Sequence, residues 1–492
     1  MAVDYDIAII GGSPTGRYAA VAARRLGATV ALVEPLKGQE ATSGQSPLVA
    51  RLPHSLSNLG QIIQQLSNAS QFGIYSSHAD TAENCKISVQ WEEAKQWAVG
   101  VVSNLEEQNS PAVLASLGVD FIVGTGQFQR QPHLAFAVNK RRLRARAYLI
   151  ATGSRPTIPD IEGLQTTGYL TAAEIWQPLT FEKPPKNWVI VGSDPTGIQL
   201  AQTLTWLGLN VTLIVSRPHI LAKEDPEIAR LVQAQLEALG VRVLTESPVT
   251  QVKRIQDKKW LQAGDEAIET DEILVCAGQQ PNVESLNLEA VGVKWNRRRL
   301  ALNEKLQTTN PRIYACGDVI GGYQFTHIAD YEAKIALKNA LFFPLFKVDY
   351  RSIPWAIFCD PPLARVGLIE AQARRQYNHD VVVVRQYFKA VAAAQLTGET
   401  TGICKLILLG NGEILGASIV GPQAGELINI FALAISQKLK MDAIAKLAPV
   451  YPSFSEIIEQ TAATWSQQRL TSNTRLQNFL EYFFNLRRSW SS

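Results

Sequence analysis

Apolar residues along this chain gather in short runs that end in glycine turns, and several runs are followed by stretches with helical spacing. Val3–Ile10 is a β-rich apolar run, Gly11-Gly12-Ser13-Pro14-Thr15-Gly16 a tight turn, and Arg17–Leu26 an alanine-rich helix. Thr29–Val33 predicts a second strand that delivers Glu34. The pattern then returns: Trp188–Gly197 repeats Ile7–Gly16 without a gap, Leu207-Gly208 falls under Leu26-Gly27, and Val211–Val215 falls under Val30–Glu34. Three more apolar runs end in small-residue turns, at Tyr148–Gly153, Ile273–Asn282 and Arg312–Asp318. Further on, Ile403–Leu409 and Glu413–Val420 read as strands joined through Gly410-Asn411-Gly412, a hairpin signal. Leu427, Ile428, Phe431, Ala434 and Ile435 then form an apolar stripe at helical spacing.

A strand, glycine turn, helix and second strand ending in an acid make up a dinucleotide-binding unit. Gly11 allows the sharp turn, Gly16 lets helix and strand approach closely, and free N–H groups at the helix start face a pyrophosphate. Glu34, eighteen residues after Gly16, is placed to accept hydrogen bonds from a ribose. Ser13 stands where the pattern has its second glycine, and its small hydroxymethyl group is compatible with a working site. Two such units imply two bound nucleotides, one of them a flavin. In the second unit Asp194 occupies the close-approach position, where a carboxylate beside a pyrophosphate costs about 3–4 kcal/mol per like-charge contact. Val215 replaces the ribose acid, and Arg217 nearby suits a 2′-phosphate, which tilts the reading toward NADPH over NADH. A Rossmann domain kept only as scaffold is the competing expectation.

Composition changes little in this picture. The chain has 492 residues, 46% of them hydrophobic, enough for several packed cores, and its net charge of +3 is spread apart from Arg141, Arg142, Arg144 and Arg146. That group reads as a solvated strand edge rather than a nucleic-acid surface. No apolar run approaches the ~20 residues that span a bilayer, and Asp4 and Asp6 sit where a signal peptide would be basic. These features predict a cytoplasmic protein. Cys85, Cys276, Cys316, Cys359 and Cys404 are scattered, without a C-x-x-C pair or metal-ligand spacing, so reduced thiols and no metal are expected.

With these motifs in this order, the chain resembles the two-dinucleotide flavoprotein disulfide reductases, the family of glutathione reductase, dihydrolipoamide dehydrogenase and mercuric reductase, over roughly residues 3 to 465. The resemblance implies an α/β fold with two Rossmann-like domains, for FAD and NAD(P), and a C-terminal α+β dimerisation domain. Residues 1–160 and 285–350 would form the FAD domain, 161–284 the NAD(P)-like domain, 351–466 the dimerisation domain and 467–492 an amphipathic tail. It also implies that Gly11, Gly12, Ser13, Gly16 and Glu34 hold the adenosine and pyrophosphate of FAD. Thr152 and Gly153 would pack on FAD, while Gly317 and Asp318 would meet its ribitol and pyrophosphate. Gly192, Pro195, Thr196, Gly197 and Arg217 would line the nicotinamide nucleotide site. Gln279 stands where the family usually has an arginine, and His327 falls where the family's chain passes the flavin ring.

Two departures bear on mechanism. Family members reduce a C-x-x-x-x-C disulfide through the flavin, yet Pro35–Leu56 holds no cysteine. One alignment places Ser46 and Arg51 at the two positions, with Pro53-His54 following, and another places Ser43 at the first; neither can cycle two electrons. Where the family carries His-Pro-Thr-x-x-Glu, this chain has Tyr451-Pro-Ser-Phe-Ser-Glu456, and a phenol with a reference pKa near 10 does not shuttle protons at neutral pH as imidazole does. Glu224-Asp225-Pro226-Glu227 reads as helix-start acids favoured by the dipole.

The expected activity is therefore that of a homodimeric FAD-dependent oxidoreductase taking hydride from NAD(P)H and passing electrons directly to a small acceptor such as a quinone. The alternative is a flavin-binding scaffold or regulatory protein with an impaired NAD(P)H site. In the tail, Leu476, Phe479, Leu480, Phe483 and Trp490 share one helical face, with Tyr482 and Phe484 beside it and Arg475, Arg487 and Arg488 around it. Both packing on the dimer and peripheral contact with an anionic membrane fit this pattern.

Overall fold

The computed structural model describes residues 3–35, 47–69, 89–180 and 184–490, with the side chains of residues 47–54 and 472 left aside. The chain starts with β1 (Tyr5–Ile10), α1 (Pro14–Arg25), β2 (Val30–Glu34) and α2 (Pro47–Asn68), then adds β3 (Asp120–Val123) and β4 (Ala145–Ile150). Each predicted element of the first repeat is present, with ends displaced by one to three residues because Pro14 starts the helix and Gly27 stops it. The second repeat gives β5 (Asn187–Val191), α3 (Pro195–Trp206) and β6 (Asn210–Ile214). It continues through α4 (Pro226–Ala238), β7 (Arg242–Leu244) and β8 (Glu272–Val275). These strands form a parallel four-stranded sheet in the order β7-β6-β5-β8. The chain then returns to the first sheet through β9 (Ile313–Ala315), completing a parallel sheet ordered β9-β4-β1-β2-β3, and runs on into α5 (Thr326–Leu341).

In both sheets the first strand sits inside, so its turn opens at the carboxyl edge, where doubly wound sheets bind ligands. Ile7 and Ile9 pack on the α1 and α5 side with Ala20, Ala23 and Ala336, while Ala8 and Ile10 face Phe128, Phe136 and Tyr148 on the other. Burial on both faces is why these strands read as continuous apolar runs.

Beyond residue 349 an antiparallel sheet is ordered β10 (Trp355–Ile357), β11 (Leu363–Gly367), β14 (Ile414–Val420), β13 (Ile403–Leu409) and β12 (Val381–Tyr387). The predicted hairpin is β13–β14, paired from Ile403↔Val420 onward. Helix α6 (Ala424–Ser436) covers it with Leu427, Ile428, Phe431 and Ala434 buried and Ile435 partly so. Two further helices, α7 (Glu456–Ser472) and α8 (Thr474–Trp490), end the chain.

By internal packing the chain forms two units: residues 1–217 with 239–348, and residues 218–238 with 349–492. Among the described residues, no helix is long and apolar enough to cross a membrane. The Arg141–Arg146 group is taken up locally: Arg141 pairs with Asp120, Arg144 with Asp4 at 2.9 Å, and Arg146 donates to backbone carbonyls at the end of α5.

Candidate functional site

The first glycine turn is closed by its own serine. Ser13 is the N-cap of α1: its Oγ accepts the N–H of Gly16 at 3.2 Å and donates to the carbonyl of Ala151 at 2.8 Å. One hydroxyl thus caps the helix and ties the turn to the end of β4. Gly16 is required by proximity, since a Cβ there would lie 2.0 Å from the carbonyl oxygen of Gly11. Past the turn, Arg17 Nη2 reaches both carboxylate oxygens of Glu34 (3.1 and 2.8 Å), and Arg17 Nη1 donates to the Asn109 carbonyl at 3.2 Å. A cavity of about 760 Å³ opens beside this pair, lined also by Asn104, Ser110, Phe121 and Val123. Sequence reasoning missed Arg17; its signal is a charged residue directly after the last glycine, at a helix position that is buried.

A second group of residues closes on Asp318. Thr152 Oγ1 donates to the Asn282 carbonyl at 2.7 Å, and Gly317 N–H donates to the buried Glu332 at 2.7 Å. Ser154 Oγ lies 3.4 Å from Asp318 and 3.3 Å from Gln279 Oε1, bridging the two. Burial pushes the Asp318 carboxyl up to about 6, opposed only by the Ser154 hydrogen bond. A half-buried acid whose raised pKa is opposed by one side-chain hydrogen bond is suited to hydroxyl donors from a ligand. With the cavity beside Glu34 and Arg17 and the amides at the start of α1, the residues present fit a dinucleotide such as FAD. His327 is exposed at the start of α5, its ring 5.9 Å from that of Phe325.

The second turn differs in the one residue already singled out. Asp194 is the N-cap of α3, and its Oδ1 accepts the Gly197 N–H at 2.7 Å. The charge conflict expected from the sequence is altered by this burial. Desolvation raises the carboxyl to about 6, against the pull of the Gly197, Gly278 and Thr196 amides. The acid therefore places a carboxylate at the amides that a pyrophosphate would approach. Gly192 and Gly197 keep their close approaches, both to Cys276. Val215, at the ribose-acid position, is buried and apolar, while Arg217 is exposed. The residues present fit a nicotinamide dinucleotide poorly while Asp194 is ionised.

In the other unit, Glu456 Oε1 accepts the Ser453 N–H at 2.9 Å and Oε2 the Ala392 N–H at 3.4 Å, which fixes the turn before α7. Tyr451 on that turn is 76% exposed on the protomer. The four described cysteines, Cys276, Cys316, Cys359 and Cys404, are buried. Burial holds the thiols of Cys359 and Cys404 up at about 12 and those of Cys276 and Cys316 well above the ordinary range. Ser43, Ser46 and Cys85 lie outside the described residues, as do the side chains of Arg51 and His54.

Glu227 lies in the first turn of α4, as the helix-dipole reading expects, and ion pairs engage all three acids, Glu224, Asp225 and Glu227. Lys405, almost fully buried on β13, lies 3.3 Å from Asp225, 3.4 Å from Glu227 and 2.9 Å from Glu370. Arg365 meets Glu224 at 3.4 Å, and Arg385 meets Glu227 at 3.0 Å. These acids answer three cations on the C-terminal sheet, a pairing the dipole alone does not account for.

Comparison with known proteins agrees with this geometry. The family model described as pyridine nucleotide-disulphide oxidoreductase matches residues 5–333, and its dimerisation domain matches residues 353–462. The chain belongs to the pyridine nucleotide-disulphide oxidoreductase family, whose cofactors are FAD and NAD(P)H, and its dimerisation domain supports a homodimer. It is 31% identical over 472 residues to a mercuric reductase of Staphylococcus aureus, covering 94% of this chain and 83% of that protein. It is 30% identical over 461 residues to a dihydrolipoyl dehydrogenase of Bacillus subtilis (strain 168), covering 92% and 97%. Among solved structures, LpdA from Mycobacterium tuberculosis superposes with a TM-score of 0.81 at 23% identity, covering 93% of this chain and 98% of that one. The HOCl-induced flavoprotein disulfide reductase RclA from Escherichia coli gives 0.75 at 25%, covering 93% and 99%.

Proposed function

We propose that this chain is an FAD-dependent oxidoreductase that takes hydride from NAD(P)H and hands electrons directly to a small acceptor, a quinone or similar molecule, with no cysteine relay. The absence of cysteine from Pro35–Leu56, where the family carries its redox pair, is the observation that carries this reading. The raised, buried thiols of the four described cysteines support it, because a thiol kept protonated is neither nucleophile nor electron carrier at neutral pH. Mercuric, disulfide and dihydrolipoamide chemistry all need that pair.

In this reading residues 1–160 and 285–350 hold FAD, 161–284 face the nicotinamide dinucleotide, and 351–466 make the dimer contact. FAD supplies the two-electron to one-electron step that an acceptor without a thiol relay requires. The chain's part is to bind and orient it: Gly11, Gly12, Ser13 and Gly16 present amides, Glu34 a ribose acceptor, and Thr152, Gly153, Gly317 and Asp318 the contacts toward the ribitol. Glu456 sets the turn that presents Tyr451, whose phenol serves as a hydrogen-bond donor rather than a proton shuttle.

Asp194 favours a second reading, a flavin-bearing scaffold or regulatory protein that no longer turns over NAD(P)H, because it sets a carboxylate at the start of α3 where a pyrophosphate would bind. An anaerobic titration of the purified yellow protein with NADPH and then NADH separates the two. Stoichiometric bleaching of the flavin band is expected for the enzyme. No bleaching, in protein that dithionite still reduces, would establish the second reading.

A further inference from the structure

The C-terminal helix α8 carries an aromatic face that its own protomer leaves uncovered. Phe479 is 59% exposed, Tyr482 67%, Phe483 40%, Phe484 52% and Trp490 78%, and no residue of the helix is buried. Phe483 packs on Phe479 at 6.3 Å and on Phe484 at 5.7 Å, so the rings form one ridge. Leu476, Leu480 and Leu486 are half-buried beside these rings. Such a ridge in water is unfavourable and calls for a cover.

The charge pattern says which cover. Residues 467–492 hold Arg469, Arg475, Arg487 and Arg488 against the single acid Glu481. Arg475 lies in the first turn of α8, and Arg487 and Arg488 lie in the last beside Trp490, so cations bracket the ridge at both ends. A partner subunit suits this less well. The matched dimerisation domain ends at residue 462, inside α7, and the whole of α8 lies beyond it. Seventeen residues with three arginines among them do not span a bilayer. Aromatic rings that settle at the headgroup boundary, with arginines reaching anionic phosphates, fit a helix lying flat in the membrane surface.

We infer that α8 is a peripheral membrane anchor that seats the flavoprotein on an anionic lipid surface. The aromatic ridge enters the headgroup layer and Arg475, Arg487 and Arg488 pair with lipid phosphates. This does not depend on which acceptor the flavin serves.

Vesicle flotation of the full-length flavoprotein tests it. The protein should float with vesicles of mixed phosphatidylglycerol and phosphatidylcholine and bind about 100-fold more weakly to phosphatidylcholine alone, with binding falling as salt rises. Ending the chain after Asn473, or the triple change Phe479→Ser, Phe483→Ser and Trp490→Ser, should abolish flotation. Arg475→Gln with Arg487→Gln and Arg488→Gln should remove the preference for the anionic lipid. Flavin content and the dimer mass by light scattering should stay unchanged in all three, which separates loss of docking from loss of fold. Three results would overturn the inference: no flotation of the intact protein, flotation that survives removal of α8, or a truncated chain that becomes monomeric without lipid, which would give the ridge to the subunit interface.

Discussion

The carboxylate of Asp194 accepts the backbone N–H of Gly197 at 2.7 Å, so the second dinucleotide turn holds an anion of its own at the start of α3. The equivalent residue of the first turn, Ser13, makes the same contact with Gly16 at 3.2 Å as a neutral hydroxyl. The two repeats share a cap geometry and differ by one charge.

Replacing that charge should change nucleotide binding and stability separately. Asp194→Gly should tighten NADPH binding by about 100-fold, if one like-charge contact of a few kcal/mol is removed, as read by flavin bleaching or calorimetry. Asp194→Asn keeps an acceptor for Gly197. The folded carboxyl is raised to about 6, so the native state binds more protons than the unfolded state between the model value 3.8 and 6. Wild-type stability therefore falls as pH rises through that window, by on the order of 3 kcal/mol. The Asn variant should match the wild type in Tm near pH 4 and exceed it at pH 8.

Asp318 should make FAD affinity depend on pH. Its carboxyl, raised to about 6 by burial in the apoprotein, accepts ligand hydroxyls best when ionised, so binding releases a proton. Affinity of the apoprotein for FAD, followed by flavin fluorescence, should rise with pH up to about 6 and then level off. Asp318→Asn should flatten this dependence and weaken binding by roughly 10- to 100-fold, as expected for a hydrogen bond to a charged acceptor.

Ser13→Ala removes the acceptor for Gly16 and the donor to Ala151 together, and a lost cap costs about 1 kcal/mol. Ser13→Gly should cost only a few tenths while leaving the backbone free to approach a phosphate. Denaturant midpoints should therefore rank wild type, then Gly, then Ala, with FAD retained in the Gly variant.

Gly16→Ala should prevent recovery of yellow protein, because the new methyl would sit 2.0 Å from the Gly11 carbonyl oxygen, with backbone on both sides of the conflict. Gly27→Ala is the control: Gly27 has a φ of +84° but nothing within 4 Å, so only the backbone penalty of about 1 kcal/mol remains. Absorbance at the flavin band after identical purification distinguishes them.

Lys405→Met should destabilise the C-terminal unit by about 3–5 kcal/mol at pH 7, since it leaves Asp225, Glu227 and Glu370 facing an apolar side chain. Adding Glu370→Gln to Lys405→Met should recover part of the loss, because it removes one of the stranded carboxylates. A loss that the second change does not reduce would show that packing, not charge, explains it.

The parts of this protein visible in its sequence are those written locally. The two glycine turns, the β13–β14 hairpin and the α6 stripe each follow from residues a few positions apart, where periodicity and turn chemistry act. The pairings that tune the site are not local. Arg17 with Glu34, Ser154 between Gln279 and Asp318, and Lys405 among Asp225, Glu227 and Glu370 join residues from different elements, with no shared period to announce them. Asp194 was visible as an oddity, but its burial and its capping role arise only once α3 is folded against β8 and Cys276.

The ionic group around Lys405 also bears on how the chain is divided. Residues 218–238 pack with residues 349–492, and they bring Glu224, Asp225 and Glu227 to cations that the later segment alone would leave with Glu370. A fragment begun at Asp349 would lack three of the acids its sheet was built around. The C-terminal unit is thus not a detachable module: recombination or gene fusion at that boundary keeps its electrostatics intact only if the segment from Pro218 to Ala238 travels with it.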